Sequence, residues 1–430
     1  MKFKHALRFF IAGLGVCIAT ASAQDFVKER VPSWMHFTGE VRLREEGFLG
    51  QGFREGADDM YLLQRFRLGL QVQPAPWLKG FVQGQDARVS FTGLASPTPH
   101  QDSADLRQAW VQFGEAATHH IEVRAGRQEL AFGEERLVGA SNWGNISRTF
   151  DALRVGFQSG GYRVDAFASS VVAPKDHVLD SHAHGEVLTG LYGDISSWVP
   201  HAKVQPYFLW SRTPSVLGET GATGSQHTDT LGVRWAGDLP KGLLYTMELA
   251  FQTGRWAGDR THAWAGFWRI GHEFSALPLR PGLRLEVNHA SGDSDPSDGR
   301  HGTFNVLYPT AHDKYGLTDQ VGWKNINHIG LIADAKPVRN VVLQLKFHDW
   351  WLASARDGLY NAGGALLVRD PTGSVGTHVG EEVSFQASWT VSPHLQIGGG
   401  VGHLFPGGFL EHTTPGHGYT FPYVSLAYGF

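Results

Sequence analysis

A two-residue alternation of apolar and polar side chains recurs from Phe37 to the last residue and constrains this chain more than any other feature. Phe37, Gly39, Val41 and Leu43 alternate with Thr38, Glu40, Arg42 and Arg44, and Phe66, Leu68, Leu70 and Val72 alternate with Arg65, Arg67, Gln71 and Gln73. The same period returns around Val123, Val155, Val164, Val233, Met247, Leu285, Leu343 and Phe385. Successive side chains of a strand point to opposite faces, so each run offers one apolar and one polar surface. Helical periodicity is nearly absent. The final run, YTFPYVSLAYGF, sets Val424, Leu426, Tyr428 and Phe430 on one face and Ser425, Ala427 and Gly429 on the other. It reads as a lipid-facing strand, and its terminal aromatic resembles that of the closing strand by which assembly machinery recognises outer-membrane β-barrels.

The first residues supply an address. Lys2, Lys4 and Arg8 precede the apolar run FFIAGLGVCIATA and then Ala21-Ser22-Ala23. That order is the one found in a cleaved secretory signal peptide, with cleavage expected before Gln24. Cys17, the only cysteine, falls inside it, and bulky Val16 disfavours a lipoprotein signal. No later run approaches the roughly 18 to 20 apolar residues a membrane helix needs. An exported chain without disulfides must rely on a large core or on barrel closure. Residues 24–430 are therefore expected to form a single domain, an all-β, transmembrane, antiparallel up-and-down barrel inserted in outer-membrane lipid. At roughly 22 to 25 residues per strand and connection, about 16 to 18 strands fit the length. The irregular stretches Thr213 to Thr228, Ser291 to Asn325 and Ala353 to Val379 are expected as extracellular loops.

Charge then narrows the function. The chain has 37 Lys plus Arg against 41 Asp plus Glu, so there is no basic excess of the kind that binds nucleic acid. The alternation nonetheless sets Arg42, Arg44, Arg65, Arg67, Arg124, Arg154, Arg163, Arg234 and Arg284 on the polar face, against Glu40, Glu122, Asp165, Glu248 and Glu286. If that face lines a lumen, a basic pore sits inside an acidic protein and concentrates anions. Arginine suits this task because its planar fork pairs bidentately with carboxylates and stays charged. The alternative is that these arginines pair with neighbouring acids and fill the barrel.

Four segments carry a family resemblance. These are DDMYLLQRFRLGL from Asp58, GRQELAFGEERLVGASNWGNISRTFD over Gly126 to Asp151, SGDSDPSDGRHGTFNVLYPTAHDKYG from Ser291, and FPGGFLE from Phe405. In matching order over nearly the whole chain, they resemble the alginate export family of outer-membrane β-barrels. The resemblance implies an 18-stranded monomeric barrel, and the family's namesake exports an anionic polyuronate through an arginine-rich constriction. Arg127 of GRQEL is the first position to carry over, with Arg148 and Asp151 of SRTFD. Strict alternation from Val123 would leave Arg127 on the lipid face, so a bulge at Gly126 that turns it inward near Arg124 is expected. The GRQEL segment and its following loop also read as an inward-folded plug.

The expected function is a passive channel for anionic solutes, either small molecules or oligosaccharides and polysaccharides such as polyuronates. Arg42, Arg44, Arg65, Arg67, Arg124, Arg127, Arg154 and Arg163 form its track, and Glu40, Glu122 and Asp165 hold their orientation. No cofactor, metal or catalytic residue is expected, and Gly-x-Ser-x-Gly does not occur. Two weaker metal candidates are Asp293, Asp295 and Asp298, and the segment His177, Asp180, His182, His184 and Glu186. The alternative function is a surface receptor or adhesin that uses long loops on a barrel anchor.

Overall fold

The computed structural model describes residues 31–93, 100–196 and 201–430. The signal-peptide segment lies outside them. Eighteen strands close into one antiparallel barrel. In chain order they are β1 (Met35–Phe48), β2 (Asp59–Ala75), β3 (Leu78–Ser90), β4 (Asp102–Gly114), β5 (Ile121–Gln128) and β6 (Phe150–Ser159). Next come β7 (Tyr162–Ala173), β8 (Ser181–Ile195), β9 (Ala202–Leu217), β10 (Thr223–Leu239), β11 (Leu243–Trp256) and β12 (Asp259–Glu273). The last six are β13 (Gly282–Ala290), β14 (Ile326–Val338), β15 (Val341–Leu352), β16 (His378–Ser392), β17 (Leu395–Pro406) and β18 (Tyr419–Gly429). β1 pairs with β2 on one side and with β18 on the other, with Arg44 opposite Ser425 and Arg42 opposite Ala427. That pairing closes the sheet and leaves no free edge.

Parity decides which side chains meet lipid. Phe66, Leu68, Leu153, Phe157, Phe251 and Phe385 are exposed on the outer face. In water such a band would be an aggregation surface, whereas in a bilayer it is the required one. Trp77 and Phe113 stack at the end where connections are short, and Trp34, Tyr162 and Trp389 lie exposed at the same end. This is the expected position of an aromatic girdle. Among the described residues no helix is long and apolar enough to cross a membrane.

Long connections leave the opposite, extracellular end, and two of them fold inward. Leu130, Leu137 and Val138 from residues 129–149 pack with Phe304, Leu317, Val321 and Trp323 from residues 291–325 in one buried cluster. The barrel therefore carries much of its core inside its own mouth. Two expectations about loops need correction. Residues 213–228 are mostly the continuing strands β9 and β10 around a short turn, because their polar Gln226 and Thr228 are buried lumen residues. Residues 291–325 extend into the lumen, and residues 353–377 contain a small hairpin pairing Gly358–Tyr360 with Leu366–Arg369.

Candidate functional site

β1 and β2 present the densest basic surface of the lumen. Their ladder sets Arg42 directly opposite Arg65 and Glu40 opposite Arg67. Like charges directly opposed in a sheet repel unless something stands between them. Here the backbone of the first inward loop does. Arg42 donates to the carbonyls of Asn142 at 2.9 Å and Gly144 at 3.0 Å, and Arg65 donates to the same two at 3.1 and 3.0 Å. Arg67 donates to Gln85 Oε1 at 2.7 Å and to Ser147 Oγ at 2.7 Å.

The remaining arginines divide by partner. Arg44 pairs with Glu46, Arg65 also with Glu40, Arg154 with Asp165, and Arg163 with both Asp165 and Glu122. The expected counter-charges Glu40, Glu122 and Asp165 thus each touch at least one arginine of that set. Arg124 instead donates to Gln112 Oε1 at 2.6 Å and lies 4.1 Å over the Trp110 ring. Among the described residues Arg42, Arg67 and Arg124 make no salt bridge, so the acceptors of three lumen guanidinium groups are all neutral, and Arg42 Nε is buried with none.

Arg127 does not join them. Gly126 has φ +119°, yet β5 pairs with β4 and β6 without a shift of register, so the expected bulge is absent. The glycine is needed for another reason: a Cβ there would lie 2.2 Å from the Ala109 carbonyl. Arg127 keeps the face of Val123 and Ala125, opposite to that of Arg124. Its charge is met by Asp151, its direct cross-strand partner, at 2.9 Å, and by the carbonyls of Leu106 and Asp180. Arg148, the other arginine of the motif, clamps the two inward loops together, donating to the carbonyls of Gly139, Tyr308 and Pro309.

Those loops meet inside the barrel mouth. They run side by side as a short parallel bridge between Val138 and Tyr308, with Tyr308 N donating to Leu137 O at 2.8 Å and Gly139 N to Tyr308 O at 2.9 Å. Arg136 anchors the first to the far wall, donating to Glu286 and Asn288 at 3.3 Å and lying 3.5 Å over the Phe267 ring. Burial opposes its charge, but Tyr315, Glu286 and Glu134 outweigh burial and keep it protonated. Glu382 on β16 holds the second, accepting from Leu317 N at 2.6 Å and Thr318 Oγ1 at 2.6 Å.

Where the loops meet, Trp143 lies flat on His312 with centroids 3.8 Å apart, and Arg44 covers Trp143 at 3.8 Å. Trp143 and His312 separate two cavities. The outer, about 460 Å³, is lined by Arg44, Phe48, Trp143, Tyr419 and Phe421. The inner, about 470 Å³, is lined by Arg136, Arg269, Arg284, Lys314 and Lys346 together with Glu134, Glu286 and Asp334. Burial, helped by Arg136, pushes Lys314 down to about 8.

Sequence reasoning missed several of these groups. Arg107 faces the lumen beyond a register shift in β4 that breaks the simple parity. Asn142, Trp143 and Arg136 sit in a loop, where no periodicity exists to read. The two weaker metal candidates are not assembled. Asp293, Asp295 and Asp298 each cap backbone N–H groups of their own turn, and His182 and His184 are exposed on β8 while Asp180 turns toward β4.

The family model described as Alginate export matches residues 33–421. No curated protein matches the chain in sequence. Solved structures similar in fold include a BenF-like porin from Pseudomonas fluorescens Pf-5, at 9% identity and TM-score 0.65, covering 92% of this chain and 98% of that one. Pseudomonas aeruginosa OccK2 (OpdF) in complex with glucuronate matches at 10% identity and TM-score 0.62, covering 92% and 98%. Pseudomonas aeruginosa OpdK with vanillate matches at 10% identity and TM-score 0.60, covering 92% and 98%.

Proposed function

The chain belongs to the alginate export family of outer-membrane β-barrels, and from that premise we propose that it is a passive channel for small carboxylates, sugar acids foremost, drawn along the arginines of its lumen. The carrying observation is the set of three lumen arginines, Arg42, Arg67 and Arg124, whose partners are all neutral. A carboxylate that reaches one of them exchanges a carbonyl, hydroxyl or amide acceptor for a charged one, which is the stronger hydrogen bond. Because the neutral acceptors remain close by, release is cheap, and conduction needs binding that is favourable at entry and weak at exit. Arg44, Arg65, Arg154 and Arg163 shape the field around this path while their acids Glu46, Glu40, Asp165 and Glu122 fix their directions.

Size supports small solutes. Two cavities of about 460 and 470 Å³ in series, parted by Trp143 and His312, suit a monosaccharide acid or an aromatic acid. A polyuronate would require the loops 129–149 and 291–325 to leave the lumen. Glucuronate and vanillate, bound by two porins of this fold, belong to the same chemical class. Arg127 has no part in this path. The receptor reading loses support because residues 291–325, its longest expected surface loop, are packed inside.

Single-channel recording with glucuronate and with glucose tests the proposal. Glucuronate is expected to carry or block current in a concentration-dependent way at levels where glucose does neither. Equal behaviour of the two sugars would refute it.

A further inference from the structure

β5 is the shortest barrel strand, because the chain turns into the lumen after Gln128. Its last pairing with β4 sets Arg127 opposite Ala109, so the extracellular stretch of β4 from Asp102 has lost its strand neighbour on that side. The connection of residues 174–180, between β7 and β8, patches this gap. Ser103 N donates to Asp176 Oδ1 at 3.1 Å, Gln101 Nε2 to Asp176 Oδ2 at 2.7 Å, and Asp180 N to Asp105 Oδ1 at 3.0 Å.

The patch is short of positive charge. One carboxylate oxygen from each of Asp102, Asp105 and Asp180 lies within 4.8 Å of the others. The nearby cations are Arg127, already engaged by Asp151 at 2.9 Å and 3.8 Å from Asp105, and Lys175 of the connection, whose Nζ donates to Ser181 Oγ at 3.0 Å. Asp102 is 2% exposed, makes no salt bridge among the described residues, and its Oδ1 is buried without a hydrogen-bond partner. A buried carboxylate oxygen with nothing to accept from is costly, and two further carboxylates close by add repulsion, although Asp105 and Asp180 accept from the N–H groups of Asp180 and Lys175. A ligand that brings charge would settle all three at once.

We propose that Asp102, Asp105 and Asp180 form a site for a hard divalent cation, calcium foremost, which pins the 174–180 connection across the gap left by β5. The donors are carboxylates alone, with no sulfur or imidazole, which suits calcium or magnesium and not a transition metal. Three charged ligands close together supply the charge count of such a site, and water can complete the shell. The site is independent of the channel function, since it lies on the wall near Arg127 and not among the lumen arginines.

The test uses the full chain, stripped with a chelator in detergent and titrated calorimetrically with calcium chloride at neutral pH. Saturable binding with a dissociation constant on the order of 10⁻⁴ to 10⁻³ M is expected, the range of extracellular calcium modules. Asp102→Asn and Asp180→Asn should each weaken it by about tenfold or more, and Asp298→Asn in the turn of residues 295–298 should leave it unchanged. Calcium should also slow proteolytic cleavage within residues 174–180, a readout available even where a variant folds poorly. No saturable heat, or equal binding by wild type and Asp102→Asn, would overturn the proposal.

Discussion

Arg42 and Arg65 face each other across the β1–β2 ladder and share the same two acceptors, the carbonyls of Asn142 and Gly144. The loop backbone thus stands where two opposed cations would otherwise repel, and it does so with neutral oxygens. That leaves the pair tethered and only half compensated: Arg65 also reaches Glu40, whereas Arg42 makes no salt bridge.

Replacing residues 136–147 by a short flexible linker should remove those carbonyls and the Trp143 partition together. Single-channel conductance is expected to rise several-fold, while the barrel keeps its heat-modifiable mobility on gels, because strand pairing does not involve the loop. An unchanged conductance would show that the loop is not the constriction.

Arg136→Ala should loosen the first inward loop specifically. It takes the 3.3 Å guanidinium partner from buried Glu286, which keeps Asn288 Nδ2 at 2.8 Å and Arg269 at 3.7 Å, so the cost falls below the about 3–5 kcal/mol of leaving a buried charge unpaired. More frequent open-state flicker is expected in bilayer recordings, with Arg136→Lys intermediate because the ammonium keeps the charge but loses the planar fork over Phe267.

Lys314 lines the inner cavity and titrates at about 8. It is charged below that pH and neutral above it, so anion conductance should fall as the pH rises through 8. Lys314→Met should be low at every pH and flatten the profile. A fall that survives in Lys314→Met would assign it to another group.

Trp143→Ala should join the two cavities and uncover Arg44, which now covers the ring at 3.8 Å and stays held by Glu46. A cation–π contact of this kind contributes about 0.5–2 kcal/mol. The expected outcome is a larger current with less discrimination between aromatic and aliphatic carboxylates, read from block by vanillate and glucuronate.

Much of the barrel was legible because period-two parity is a direct consequence of strand geometry. It assigned Arg42, Arg44, Arg65, Arg67, Arg124, Arg154 and Arg163 to one face, and all of them line the lumen. It was trusted too little at Arg127: the same parity keeps that residue on the outer face, and Asp151 opposite removes the cost for which a bulge was invoked. It was abandoned too early at residues 213–228, where polar side chains signalled a lumen face and not a loop. Arg107 escaped because a register shift between Gln83 and Gly84 resets the alternation. The contact between the two inward loops was only half visible. Asn142, Trp143 and His312 acquire meaning through contacts between two loops far apart in sequence, which no local pattern encodes.

The central claim is that uncompensated lumen arginines set charge selectivity, and the reversal potential across a potassium chloride gradient measures this most directly. Wild type is predicted to be anion-selective, and the triple variant Arg42→Gln, Arg67→Gln, Arg124→Gln to shift toward cation selectivity with its barrel intact. A wild-type channel that prefers cations, or a triple variant with the wild-type reversal potential, would contradict the account.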